Sequence, residues 1–305
     1  VKHSDGADPI RAGTAFALLA YGAWGVAPVY WKQLESLPPF ETLAYRVVSS
    51  AAVGLLLLGI GRSWRPLRDA LGVRSVAIVL LVTALTIGGN WFLFLYAVVN
   101  DRIVDTSLGY FLTPLLNVAL GVAFLRERLR PWQGVAVALA GAGVARLAVE
   151  VGGLPWISLA LGGSFAGYGF LRKWAPVPSL VGFAAETSVL APLALGYLVW
   201  LTWSGGGLWG AATAPQPATV GWLAGAGLMT AGPLVWFASA ARRLPLSMVG
   251  LFQYIAPTIS LAIAVWLYDE PFRRSQAEAF TCIWLALGLY TWDLRRAAAA
   301  AQRGA

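Results

Sequence analysis

The sequence has little with which to do chemistry: one cysteine, Cys282, and one histidine, His3, in 305 residues. No intramolecular disulfide can form, and neither a Cys/His zinc cluster nor a Ser/His or Cys/His nucleophile pair can be assembled within the apolar part of the chain. His3 sits in a polar N-terminal stretch, and Cys282 lies in an apolar run where it reads as a small hydrophobe. Charge is scarce too. Fourteen acidic and 22 basic residues make up 12% of the positions, while 58% are apolar; a soluble domain carries about 25% charged residues. Soluble globular, disordered, coiled-coil and secreted disulfide-rich classes are thereby excluded. No Walker motif is present, and no metal or cofactor is expected.

What the chain does have is a succession of apolar runs of roughly 20 residues, close to the minimum that spans a bilayer. Bounded by charges, Pro or Gly, they fall at Ala12 to Trp31, Phe40 to Ile60, Ser75 to Val99, Ile103 to Leu125 and Trp132 to Val149. Five more follow at Pro155 to Arg172, Ser179 to Leu201, Ala218 to Ala240, Ser247 to Tyr268 and Ala277 to Leu294. Lipid offers no partner for backbone N–H and C=O, so runs of this length are helices, and a barrel would instead show short alternating strands. The reading is an all-α membrane protein with ten transmembrane helices, the first retained rather than cleaved as a signal peptide.

Basic residues orient the spans, because short loops rich in Lys and Arg stay cytoplasmic. With the N-terminus inside, 16 basic residues fall in cytoplasmic segments, Arg172 and Lys173 among them, and five in outer ones. Both termini, the tails 1–11 and 295–305, are therefore expected in the cytoplasm of a cell with the chain in its inner membrane. The net charge of +8 becomes a topology signal, and no nucleic-acid partner is expected, since the basic residues form no single solvated face. Trp31, Trp132, Trp156, Trp174, Trp200 and Trp222 fall near span ends, where indoles anchor at headgroups.

Shifted by 143 positions, Gly88 to Gln133 aligns with Ala231 to Gln276 without a gap, and ten of the 46 pairs are identical. Pro114 meets Pro257 and Glu127 meets Glu270, so each half has a mid-span proline followed by a glutamate at the span's end. The chain reads as two copies of one five-helix unit, 12–149 and 155–294. Five is odd, so the second copy is inverted, an architecture associated with alternating access.

The segments AYGAWGVAPVYWK, GGNWFLFLYAVVN, SLGYFLTPLLNVALGVAFLRERL and LSMVGLFQYIAPTISLAIAVWLYDEP resemble the RarD family, within the EamA-type branch of the drug/metabolite transporter superfamily. The resemblance runs over essentially all ten spans. It implies a ten-helix inner-membrane carrier built from two EamA repeats and exporting small metabolites or drugs.

Two charges lie deep in spans, Arg46 in the second and Glu186 in the seventh. Each costs several kcal/mol unless paired or wetted, roughly 2.5 to 3.5 on the lenient insertion scale. Arg46 suits a substrate carboxylate or phosphate, or else pairs with Glu41 or snorkels to the headgroups. Glu186 is a candidate proton carrier, or else a packing hydrogen bond. Pro114 and Pro257 are helix kinks that free the carbonyls of Tyr110 and Gln253, and Asn117 and Tyr254 share those turns, so these polar groups are expected to line a cavity. Asn90, Trp24 and Tyr168 are further lining candidates. Glu127 and Glu270 are expected to fix hairpins as caps or ion pairs, and Gly163 with Gly167 and Gly221 with Gly225 to let helices approach closely.

Together these readings predict a proton-coupled exporter, with the bilayer, a small solute and protons as its partners. The alternative is a lipid-linked or sugar-phosphate translocase, which needs a groove open sideways to lipid. An intramembrane enzyme is the third reading, and it lacks a constellation of acid, base and nucleophile.

Overall fold

A computed structural model of the protein describes residues 9–100, 102–151, 156–210, 215–269 and 274–303. The apolar runs form helices almost throughout: α1 (Pro9–Trp31), α2 (Pro39–Ile60), a short α3 (Trp64–Gly72), α4 (Arg74–Val99), α5 (Ile103–Leu125) and α6 (Pro131–Val151). Then come α7 (Trp156–Trp174), α8 (Ser179–Trp203), the single turn α9 (Gly207–Gly210), α10 (Pro217–Arg243), α11 (Leu246–Gln253), α12 (Ile255–Leu267) and α13 (Arg274–Arg303). Among the described residues, eight helical segments are long and apolar enough to cross a membrane by length and composition. The expected sixth and tenth spans, α7 and α13, fall outside that group. Glycines, serines and a basic last turn dilute α7, and α13 has polar residues at both ends.

The packing partners come in matching pairs. Helix α1 lies against α10 as α7 lies against α4; α2 touches α10 as α8 touches α4; α2 and α8 pack on each other, as do α6 and α13. The main core runs through the middle of this bundle, from Tyr21 and Val47 to Phe111, Tyr168, Phe237 and Tyr254. A smaller cluster ties α3 to α8 through Leu58, Ala70, Leu80, Val177 and Ala184. Close approach depends on Gly109 and Gly162, where a Cβ on the latter would sit 2.9 Å from the Gly109 carbonyl. Of the glycines singled out from spacing, Gly225 does allow a close approach, since a Cβ there would sit 2.7 Å from the Tyr30 hydroxyl, whereas a Cβ at Gly163, Gly167 or Gly221 would meet nothing within 4 Å.

The bundle's two ends differ in charge. One, the basic end, gathers Arg62, Arg126, Arg172, Lys173, Arg242 and Arg243, and Arg130 pairs there with Asp293 at 2.6 Å. At the opposite, far end Glu41 accepts the Leu208 amide at 2.5 Å, the Tyr30 hydroxyl donates to the Trp222 carbonyl, and Lys32 lies over the Tyr268 ring.

The two proline-bearing helices behave differently. Helix α5 runs unbroken through Pro114, whereas its counterpart divides at Tyr254, three residues before Pro257, into α11 and α12. Helix α11 packs along α5, and α12 along α1. Seven of the eight residues of α11 are buried; none of α12 is.

Candidate functional site

Arg46 projects from α2 in the half of the bundle nearer the far end. Its Nε donates to Thr230 Oγ1 on α10 at 2.9 Å, and the Thr230 hydroxyl donates onward to the Ala226 carbonyl at 2.9 Å. The threonine therefore holds one side of the guanidinium fork. The Arg46 Cζ lies 4.5 Å from the ring centroid of Trp91 and 5.2 Å from that of Trp31, the distances of cation–π contact. Among the described residues, neither terminal nitrogen of Arg46 has an acceptor and no carboxylate pairs with it. Glu41, one of the alternative partners read from the sequence, is instead turned to Leu208. Tyr110, on α5, is 42% exposed and within electrostatic reach of the guanidinium.

Glu186 is in the opposite situation. It is 2% exposed on α8, accepts the Tyr168 hydroxyl at 3.0 Å, and lies 3.5 Å from Arg172 Nη1. Arg172, wholly buried at the end of α7, also donates through Nη2 to the Ser179 carbonyl at 3.2 Å. Gly182 makes this possible, since a Cβ there would sit 1.8 Å from Arg172 Nη1. Arg172 thus belongs to the buried cluster and not to the solvated basic segment in which the residue census places it. Sequence carried a signal for this: Tyr168 and Arg172 are four apart on one helix and share a face. A second signal is that Pro38 caps α2 and Pro178 caps α8, and Arg46 and Glu186 stand the same number of residues beyond them.

Around the prolines, the structure brings the expected residues together and buries most of them. Asn117 Nδ2 donates to Gln253 Oε1 at 3.2 Å, joining α5 to α11, and both side chains are buried. The Tyr254 hydroxyl donates to the Phe111 carbonyl at 3.2 Å, beside the Tyr110 carbonyl that Pro114 frees, and the Tyr254 and Phe111 rings stack at 6.5 Å. Asn90 donates to the Leu161 carbonyl and to Ser164 Oγ, both at 2.9 Å, which ties α4 to α7. Trp24 packs among Tyr21, Phe165 and Phe237. Tyr168 serves the Glu186 cluster.

Glu127 is a cap, as its place at a helix end suggested, but for a helix far along the chain. Arg126 ends α5 in a left-handed conformation, and the Glu127 carboxylate then accepts the amides of Leu246 at 2.6 Å and Ser247 at 3.0 Å, with the Ser247 hydroxyl at 2.7 Å. These are the first residues of α11, whose orphan donors and helix dipole favour a carboxylate. Lys173 donates to the carbonyls of Ala241 and Leu244 close by. Glu270 lies outside the described residues. Among the described residues, no group of three or more His, Cys, Asp and Glu is arranged to hold a metal ion.

The arrangement is one of a membrane bundle with an ion pair sealed near one end and an unpaired guanidinium nearer the other, and it resembles known proteins over nearly its whole length. A model of the EamA-like transporter family matches residues 11–149. An uncharacterized transporter of Pseudomonas aeruginosa is 42% identical, covering 94% of this chain and 95% of its own. Protein RarD of Streptomyces exfoliatus is 41% identical over 94% and 90%, and Protein RarD of Escherichia coli 40% identical over 93% and 95%. A crystal structure 20% identical in sequence superposes with a TM-score of 0.72 over 94% of this chain and 99% of its own, a likeness of fold alone. The chain belongs to the EamA-like transporter family, among its RarD members, and is a multi-pass membrane transporter.

Proposed function

We propose that the chain is a secondary carrier of two inverted five-helix repeats, 12–149 and 155–294, which exports a small organic solute by alternating access with both termini in the cytoplasm. The observation that carries this reading is the contact between Phe111 and Tyr254. The two are separated by 143 residues, the shift that aligns the halves, and they stack on each other at the centre of the bundle. Residues equivalent under a two-fold operation can meet only at its axis. Arg126 and Asp269, equivalent under the same shift, are both left-handed, which few residues other than glycine adopt. In this state the basic, cytoplasmic end is closed by the α5–α11 contact and the Glu127 cap, and α12 stands loosely packed on the other side. Such a pair of related halves, one shut and one slack, is what alternating access requires.

The proton gradient is proposed to drive the cycle through Glu186. A proton on that carboxylate would cancel its attraction for Arg172 and loosen the α7–α8 contact that helps close the basic end. Flux in proteoliposomes over a panel of amino acids, organic acids and amphipathic drugs, with and without a pH gradient, tests the reading. Saturable, gradient-driven flux of at least one solute is expected, and Glu186→Gln should remove its dependence on the gradient. Full gradient dependence in that variant would sink the proton role, and no saturable flux for any solute would sink the carrier.

A translocase of lipid-linked or sugar-phosphate substrates has one observation in its favour. A crevice of about 580 Å³ opens on the side of the bundle between α2, α8 and α9, lined by Tyr45, Leu195, Leu198, Thr202, Trp203 and Trp209 among others. It contains no cation to hold a phosphate, and Arg46 is not among its lining residues. The solute carrier is therefore the better reading.

A further inference from the structure

The geometry points to Arg46 as the anchor of a binding site for small organic monocarboxylates with a flat apolar body, an inference that rests on the carrier reading and names its substrate class. Three features of the site converge on this chemistry. The guanidinium is half-buried, and its Nε is already committed to Thr230, so the two terminal nitrogens project as a fork with no acceptor among the described residues. A fork of parallel N–H donors matches the two oxygens of a carboxylate. Leaving it empty in a partly dry interior is costly, so its natural complement is an anion that comes and goes.

The count of charges narrows the class. One guanidinium neutralises one negative charge, and Lys32, at the far end next to Trp31, is exposed and lies over the Tyr268 ring 3.8 Å away. A phosphate dianion would keep about one charge uncompensated at that depth. A monocarboxylate would not. Around the fork the walls are aromatic: Trp31, the nearly buried Trp91, and the exposed Tyr110 with Phe94 behind it at 6.0 Å. Aromatic faces favour an apolar, preferably planar, body, and Tyr110 lies within electrostatic reach of the guanidinium. Glu186, at the corresponding place in α8, shows what such a position looks like when its partner is supplied by the protein: its counter-charge is Arg172, and it is closed to solvent. Among the described residues Arg46 has no such charged partner, and the solute supplies one.

The full-length chain purified in detergent tests this directly, with equilibrium binding of radiolabelled benzoate and competition by phenylacetate, benzamide and benzylammonium. Saturable benzoate binding is expected, with phenylacetate competing and the neutral and cationic isosteres at least tenfold weaker. Arg46→Gln should weaken benzoate at least tenfold, and Arg46→Lys should restore part of the loss. Thr230→Val, which frees the fork from its anchor, should cost several-fold through positioning alone. Equal competition by benzamide or benzylammonium, no saturable binding of either carboxylate, or an Arg46→Gln variant that binds like the parent would each overturn the inference. Flux measurements separate it from the carrier reading. Saturable transport of a neutral or cationic solute that ignores Arg46→Gln would sink the anion site and leave the carrier standing. Benzoate binding that requires Arg46, without saturable flux of any solute, would uphold the site and sink the carrier.

Discussion

Arg46 and Glu186 stand at the same distance from the prolines that open α2 and α8, two helices that pack against each other, yet among the described residues one is without a counter-charge and the other is sealed in with one. Around Glu186 the protein supplies a counter-charge and a donor, the Arg172 guanidinium at 3.5 Å and the Tyr168 hydroxyl, with a glycine at 182 that leaves space for the arginine, although Glu186 Oε1 itself accepts no hydrogen bond. Around Arg46 it supplies one hydroxyl and two indole faces. The same depth in the same kind of helix therefore serves two purposes. A buried charge with an internal partner fixes structure, and a charge left with open valences is available for something that is not part of the chain.

The largest test of this contrast is thermodynamic. Arg172→Ala leaves Glu186 buried without its counter-charge, and the loss should be about 3–5 kcal/mol. Arg46→Gln should change stability by no more than about 1 kcal/mol, because no buried charge is orphaned and Thr230 keeps its bond to the Ala226 carbonyl. Unfolding midpoints in detergent, compared for the two variants, check the difference. A double variant, Arg172→Met with Glu186→Leu, should recover much of the loss, since the desolvation of both charges is removed together. Comparable effects of the two single changes would erase the distinction.

Next in size is Gly182→Ala, whose Cβ would overlap Arg172 and force the guanidinium from its place. Overpacking of this kind costs about 1–3 kcal/mol. Gly163→Ala, where a Cβ meets open space, should stay within about 0.5 kcal/mol. Smaller than the Gly182→Ala effect is that of Glu127→Ala, which removes the cap of α11 for about 1 kcal/mol. Hydrogen exchange should locate it, with faster exchange at Leu246 and Ser247 and little change in the Glu186 cluster.

Much of the bundle was legible in the chain because lipid allows few solutions, and long apolar runs must be helices. The residue-level environment was less legible. Arg172 reads as one more basic residue at a helix end, and only the turn after α7, which swings Ser179 and Gly182 over it, makes it interior. Tyr168, Tyr254, Asn90 and Asn117 have the polar groups a cavity would use, but each finds a protein partner, and spacing along one helix does not reveal what lies across from it. Glu127 was legible as a cap but not as the cap of α11, because its partner lies over a hundred residues away. The Arg46 site was half visible: the charge was evident, while Thr230, Trp31 and Trp91 come from other helices and meet it only in the fold.

The break at Tyr254 has a mechanical consequence. A rod can be tilted cheaply only where bending it tears few bonds and empties no space behind it, and α12 meets both conditions. Pro257 has no amide to give up, and none of the segment's side chains is fully enclosed, so a change of angle opens no void in the core. Helix α5, continuous and pinned along its length by α7 and α11, has no comparable freedom. The molecule is thus stiff on one side and compliant on the other, and whatever enters from the far end meets the compliant wall first.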